Sequence, residues 1–193
     1  MQQVKIAFVL MMILTALTGF VYPMFVTAIA HVCFPWQANG SLIEQQGKMI
    51  GSQWIGQSFS SMDYFWGRPS ATTLYPYNGI ASSGSNSGPS NPIFLATVHE
   101  RVHQLRETGR HMNALVPVDM VTASGSGLDP EISPAAAFYQ VPRLAIARGL
   151  SEEVIKRLIR TQIQSRTYGF LGEPRVNVLQ LNRALDKLGN PHV

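Results

Sequence analysis

His99-Glu100-Arg101-Val102-His103 sets two imidazoles four residues apart with a carboxylate between them. On a helix that spacing puts both rings on one face, where they can bind zinc while the glutamate serves as general base. The pattern therefore raises a zinc hydrolase with His99 and His103 as ligands and Glu100 as base. Two features weigh against it. Arg101 brings a cation beside the metal position, and Thr108-Gly109-Arg110 stands where a third ligand would follow, although His111 is near. The plainer expectation is two exposed histidines on an amphipathic helix. Nucleophile patterns are weaker still: Ser85, Ser87, Ser124 and Ser126 lie among glycines, yet none completes G-x-S-x-G, and no S-x-x-K occurs. The phosphate-cradling G-x-x-x-x-G-K-[ST] is also absent, so ATP hydrolysis is not expected of this chain.

The remaining segment of chemical interest is Ser124-Gly125-Ser126-Gly127, followed by Leu128-Asp129-Pro130. Bare glycine backbone lets another surface approach closely, and the proline fixes the carboxylate before it. As a docking loop, Ser124, Gly125, Ser126, Gly127 and Asp129, together with Arg68, would meet a partner. Alternatively, the same residues form an elaborate strand-to-helix turn with Ser133 as the cap.

Several elements must position these groups. Asn91-Pro92 starts a helix whose buried stripe is Leu95, Val98, Val102 and Leu105, ended by Gly109. Residues 41–59 read as extended structure broken by a Gln46-Gly47 turn, and Val116 to Ala123 as a strand. Tyr64 to Pro69 is an aromatic cluster running into a turn. Residues 82–92, almost entirely Ser, Gly, Asn and Pro, must be loop, either flexible or ordered by a partner. Ser133-Pro134 opens a helix that Pro142 interrupts. Ser151 opens the next, with Val154, Ile155, Leu158, Ile159 and Ile163 inward and Lys156, Arg157 and Arg160 outward. Asn177 caps the last, through Leu181, Leu185 and Leu188 to Gly189.

The start of the chain sets its solvent. No charged residue occurs between Ile6 and Ile43, and Ile6 to Ala30 is almost wholly apolar. As a helix those residues would reach roughly 37 Å, enough to cross a ~30 Å hydrocarbon core with some tilt. Lys5 and the terminal amine precede the run, which places the N-terminus in the cytoplasm and the body outside. Ala28-Ile29-Ala30 also fits a signal-peptidase site, but the apolar run exceeds the about 7–15 residues of a signal peptide, favouring an anchor. The expectation is an α+β protein: 1–5 a short cytoplasmic N-terminus, 6–33 a transmembrane helix, and 34–193 one compact mixed α/β periplasmic domain. The only cysteine, Cys33, leaves no internal disulfide. Of the net charge of +4, Lys5 supplies one, leaving +3 on the body, too little to argue for nucleic acid.

Collinear motifs carry a resemblance along nearly the whole chain. They are Gly19-Phe20-Val21-Tyr22-Pro23, Phe34-Pro35-Trp36-Gln37-Ala38-Asn39-Gly40-Ser41, Gly51-Ser52-Gln53-Trp54-Ile55-Gly56-Gln57 and Tyr64-Phe65-Trp66-Gly67-Arg68-Pro69-Ser70-Ala71. Ser83-Gly84-Ser85-Asn86, Asp119 to Pro134 and Arg175-Val176-Asn177-Val178-Leu179 complete the set. Together they resemble the C subunit family of the bacterial Kdp potassium-transporting ATPase. Glu131 departs from a Leu-Asp-Pro-His pattern, and Trp54 stands where leucine is common. The resemblance implies a non-catalytic accessory subunit of a high-affinity, ATP-driven potassium importer. Such a subunit acts as a catalytic chaperone, raising the ATP affinity of the P-type subunit that hydrolyses ATP. The implied partners are that subunit, a channel-like potassium-binding subunit, a small single-span subunit and membrane lipid. The implied setting is the bacterial inner membrane. No cofactor is implied for the chain alone: ATP enters through the catalytic subunit, and potassium is the transported ion. The His99 to His103 helix is no signature of this family.

Overall fold

The uncharged run after Lys5 folds as one continuous helix, Gln2–Cys33, in the computed structural model of the chain, which describes residues 2–109 and 114–189. The helix has three parts: α1 (Gln2–Ala16), a widened turn at Leu17–Val21, and α2 (Tyr22–Cys33). Pro23 explains the widening. It lacks an N–H, and its ring crowds the carbonyl four residues back. The turn before it relaxes to a five-residue step, with the Tyr22 N–H donating to the Leu17 carbonyl. The Thr18 hydroxyl donates to the Leu14 carbonyl at 2.7 Å. Apolar side chains stand exposed along the helix, with none of α1 buried. A core helix of a water-soluble domain buries one face; this one is long and apolar enough to cross a bilayer.

The chain divides into two compact units, Met1–Ser52 and Gln53–Val193. In the first, a short helix α3 (Pro35–Ala38) follows the long one, and then an antiparallel hairpin, β1 (Leu42–Gln45) with β2 (Lys48–Ser52). Gln46 and Gly47 both take positive φ, 52° and 76°, the two-residue turn that matches strand twist. The Trp36 indole donates to the Leu42 carbonyl at 2.9 Å and the Ser52 hydroxyl to the Gly40 carbonyl at 2.7 Å. These bonds fasten the hairpin to the turn after α3.

The second unit packs helices around a core fed by every element. Its helices are α4 (Pro92–Gly109), α5 (Pro134–Tyr139), α6 (Val141–Arg148), α7 (Glu152–Gln162) and α8 (Val178–Asp186). Fully buried are Val141 and Leu144 of α6, Ile155 and Ile159 of α7, and Leu181 and Leu185 of α8. The sheet is small: β3 (Glu131–Ile132) pairs antiparallel with β4 (Val176–Asn177). The caps fall where the sequence sets them. Asn91 Oδ1 accepts from the Ile93 N–H at 2.9 Å, Ser133 Oγ from Ala136 at 3.0 Å, and Asn177 Oδ1 from Gln180 at 3.0 Å. Pro142 separates α5 from α6 as expected.

Three sequence expectations change. Val116 to Ala123 is not a strand. Pro117 and the Asp119 carboxylate favour a single tight turn, Val118–Met120, and Asp119 Oδ2 accepts the Ser133 N–H at 2.7 Å. On α4, Leu95 faces water, and Val98, Val102 and Leu105 meet the core. On α7, Val154, expected inward, is exposed; the loop over 82–92 is tied at its start, where the Ser83 N–H and the Ser82 hydroxyl both donate to the Ser126 carbonyl at 3.0 Å.

Between Gln53 and Asn91 the chain has neither helix nor strand, yet it crosses the core at Phe65, which is fully buried. Side chains replace the missing ladder. Asn182 accepts the Phe65 N–H at 2.8 Å and donates to its carbonyl at 3.0 Å; Gln140 does the same for Trp66 at 2.8 and 3.2 Å. Arg143, nearly buried, donates to the carbonyls of Met62 and Tyr64 and stacks 4.1 Å over the Trp66 ring. Burial pushes its guanidinium down to about 10, opposed by the Asp63 charge. Arg148 donates to the Asp63 carbonyl at 2.7 Å and to Asp186 at 2.8 Å, 4.8 Å over Tyr64. Asn182→Ala strands one buried donor and one buried acceptor, so denaturant unfolding should show a loss of about 2–4 kcal/mol.

Candidate docking site

The helix α4 carries the two histidines outward. His99, Glu100 and His103 are exposed, and His103 Nδ1 lies 3.5 Å from Glu107 Oε2 on the next turn. Arg101 instead turns towards the body and donates to the Val121 carbonyl at 2.8 Å, and burial lowers its pKa. Among the described residues, no three His, Cys, Asp or Glu side chains gather around one point. His111 lies outside the described residues.

The Ser-Gly loop has a more developed geometry. Ser124 is buried, and its hydroxyl accepts the Gly127 N–H at 2.9 Å, closing a tight turn. The Ser126 hydroxyl accepts the Leu128 N–H at 3.1 Å. The outer face of the turn meets a second layer: Ser70 Oγ donates to the Gly127 carbonyl at 2.7 Å and accepts the Tyr77 N–H at 2.9 Å. The Gly56 N–H donates to the Leu128 carbonyl at 2.8 Å. Gly127 adopts φ 67°, and a Cβ there would lie 2.6 Å from the Ser83 carbonyl oxygen. Gly56 has a normal φ, but a Cβ would meet the Tyr77 ring at 2.3 Å and the Asp129 carbonyl oxygen at 2.7 Å. Both glycines are therefore required by close approach. Gly125 has nothing within 4 Å of a Cβ, and it and Ser126 form the exposed tip.

Arg68 and Asp129 pair with each other. Arg68 Nη1 donates to Asp129 Oδ2 at 3.0 Å, while Asp129 Oδ1 accepts the Glu131 N–H at 3.0 Å. The structure thus brings all six expected docking residues together: Arg68 and Asp129 half-buried, Ser124 and Gly127 inside, Gly125 and Ser126 outside. The Tyr77 hydroxyl donates to the Arg68 carbonyl at 2.6 Å. Burial, reinforced by the Asp129 charge and opposed by Arg68, pushes this phenol up to about 12.

Beside the pair lies an open groove of about 510 Å³ that includes Arg68, Asp119, Asp129, Glu131, Glu173 and Arg175 in its lining. Glu131 Oε1 accepts from Arg175 Nε at 3.0 Å across the β3–β4 step. Its carboxyl is raised by burial, with Arg175 opposing. Sequence reasoning noted Glu131 only as a departure from a motif and did not join it to Arg175. The two are 44 positions apart, and only the strand pairing reveals them.

The sequence pattern of the K+-transporting ATPase c chain family matches residues 4–187, which cover all of the groove and the loop. The chain is 55% identical over 184 residues to the potassium-transporting ATPase KdpC subunit of Methylococcus capsulatus, covering 95% of this chain and 97% of the relative. It is 57% identical to that of Herpetosiphon aurantiacus, over 91% of each, and 54% identical to that of Geotalea uraniireducens, over 97% and 99%. The chain belongs to the K+-transporting ATPase c chain family.

Two substitutions separate packing from surface. Gly127→Ala should lower stability by about 1–3 kcal/mol through strain and overlap, while Gly125→Ala should leave the melting temperature unchanged. Tyr77 supplies a pH test. The unfolded phenol loses its proton near 10 and the folded one only towards 12, so the folded state holds the extra proton between them. Its stabilising contribution therefore falls as pH climbs through that interval. Tyr77→Phe should flatten the decline in denaturation midpoint over the same range.

Proposed function

We propose that the chain is a non-catalytic accessory subunit of a potassium-importing ATPase in the bacterial inner membrane. Similarity along nearly the whole chain to proteins named as KdpC subunits of potassium-transporting ATPases carries the reading. In this reading Gln2–Cys33 spans the bilayer once, with the short N-terminus in the cytoplasm and the body in the periplasm. The partners are the channel-like potassium-binding subunit, the P-type subunit that hydrolyses ATP and the small single-span subunit. The Ser124–Gly127 loop, with Arg68 and Asp129, belongs to the docking surface. Its interior bonds hold the backbone still, so that the Gly125-Ser126 tip meets a partner at little entropic cost.

As a catalytic chaperone, the chain raises the ATP affinity of the hydrolysing subunit. A body outside the membrane cannot touch cytoplasmic nucleotide, so this effect is a coupling free energy transmitted through the assembly. It requires contacts that differ between the states of the ATPase. The potassium ion is cargo of the complex, and ATP binds the catalytic subunit.

Removing the chain from the complex should raise the ATP concentration for half-maximal hydrolysis and abolish high-affinity potassium uptake; unchanged values for both reject the role. Orientation is read separately. In a Cys33→Ser, Ser90→Cys chain, a membrane-impermeant maleimide should label intact spheroplasts. Labelling only after lysis places the body in the cytoplasm, and the nucleotide effect then becomes direct contact.

A further inference from the structure

The chain between α7 and β4 folds back on itself as a finger. Gln164 and Arg175 exchange both backbone hydrogen bonds at 2.9 and 3.1 Å, and Thr167 and Leu171 exchange theirs at 2.9 Å. Arg166 Nη2 and Glu173 Oε2, 2.7 Å apart, tie the two sides. At the tip, Tyr168 and Gly169 both take the left-handed conformation, with φ 55° and 83°. Three large apolar residues crown it: Tyr168 is 84% exposed, Phe170 70% and Leu171 49%.

The three apolar side chains at the tip lie outside the buried core of the body. Turn tips are normally small and polar, and the left-handed position suits Gly or Asn, not a bulky ring. Tyr168 carries backbone strain and leaves its ring in water. Strain held beside exposed aromatic surface is characteristic of a recognition element.

We propose that Tyr168, Phe170 and Leu171 form an anchor that enters an apolar pocket in a membrane-embedded subunit of the same ATPase. The inference rests on the accessory-subunit reading above and adds the contact residues. The polar groove of about 510 Å³ adjoins the base of the finger through Glu173, Pro174 and Arg175. An aromatic centre beside a polar rim is the usual anatomy of a protein interface. Charge selects protein over lipid as the occupant. The finger and groove hold three arginines, Arg68, Arg166 and Arg175, paired within the chain to Asp129, Glu173 and Glu131. Asp119, which also lines the groove, adds an acid. A face with no spare cation has no attraction for an anionic bilayer.

The test uses the full chain expressed with its partner subunits and purified through a tag on one of them. Tyr168→Ser with Phe170→Ser should dissociate from the complex roughly tenfold faster or more than the parent chain, with an unchanged thermal melt of the chain itself. Equal retention overturns the anchor. If the parent chain also fails to co-purify, the subunit reading falls, and the anchor with it. A second measurement separates lipid from protein. Thr167→Cys in a Cys33→Ser background carries an environment-sensitive fluorophore beside the tip. Its emission should shift to the blue in the assembled complex and not in vesicles of phosphatidylethanolamine and phosphatidylglycerol holding this chain alone. A blue shift in those vesicles assigns the tip to lipid and overturns the proposal.

Discussion

Two buried arginines and two buried amides stand where a larger sheet would otherwise hold this body together. The stretch from Gln53 to Asn91 passes over the helices without regular structure, and backbone groups cannot be buried unpaired. Asn182 and Gln140 supply the donor and acceptor that a neighbouring strand would supply, on two consecutive residues. Arg143 and Arg148 gather the carbonyls of Met62, Asp63 and Tyr64 and place their guanidinium planes over Trp66 and Tyr64. Burying a guanidinium is costly, as the lowered Arg143 pKa indicates, and the cost is offset only while those acceptors stay in place. The crossing segment and α6 therefore fold as one cooperative piece.

The same device is repeated at the candidate site with hydroxyls. Ser124 and Ser126 satisfy N–H groups of their own turn, Ser70 bonds that turn from the neighbouring one, and Gly56 and Gly127 let the turns approach within van der Waals contact. The Arg68–Asp129 pair closes the arrangement at its edge, half-buried, where an ion pair contributes modestly but fixes geometry well. A loop built this way has its interior determined by the fold and only its tip free for recognition. Of the strand-to-helix-turn reading of Ser124 to Asp129, the turn and the Ser133 cap are present and the preceding strand is not; the docking reading concerns the exposed Gly125 and Ser126.

Local signals in the sequence were legible because local physics governs them. The apolar run, the caps at Asn91, Ser133 and Asn177, the break at Pro142 and the turn at Gln46-Gly47 all appear where expected. The failures are all long-range. Val116 to Ala123 reads as a strand, but a strand needs a partner, and Asp119 instead reaches across to the Ser133 N–H. Leu95 fits the helical stripe by spacing, yet it stands exposed near the start of α4. The clamps on Phe65 and Trp66 join residues 117 and 74 positions apart, and Glu131 to Arg175 joins residues 44 apart. Polar side chains at such distances leave no periodic trace. The finger at 164–175 was the one such feature with a local mark: aromatic residues around Gly169, flanked by Arg166 and Glu173.

In the proposed orientation, stiffness determines how this chain can act on a distant nucleotide site. A ligand or subunit shifts an equilibrium only by its difference in affinity for the two states. A flexible body would follow its partner through both states with similar contacts and exert little bias. One clamped by buried arginines and short glycine turns cannot follow without breaking bonds that its core depends on, so it favours whichever partner conformation fits its fixed surface. If the chain raises nucleotide affinity as proposed, reciprocity requires that nucleotide bound to the catalytic subunit tighten the grip of this chain on the complex by the same factor. Dissociation of the chain measured with and without a non-hydrolysable ATP analogue reads that factor directly. An equal rate in both conditions leaves no coupling for an accessory subunit to supply.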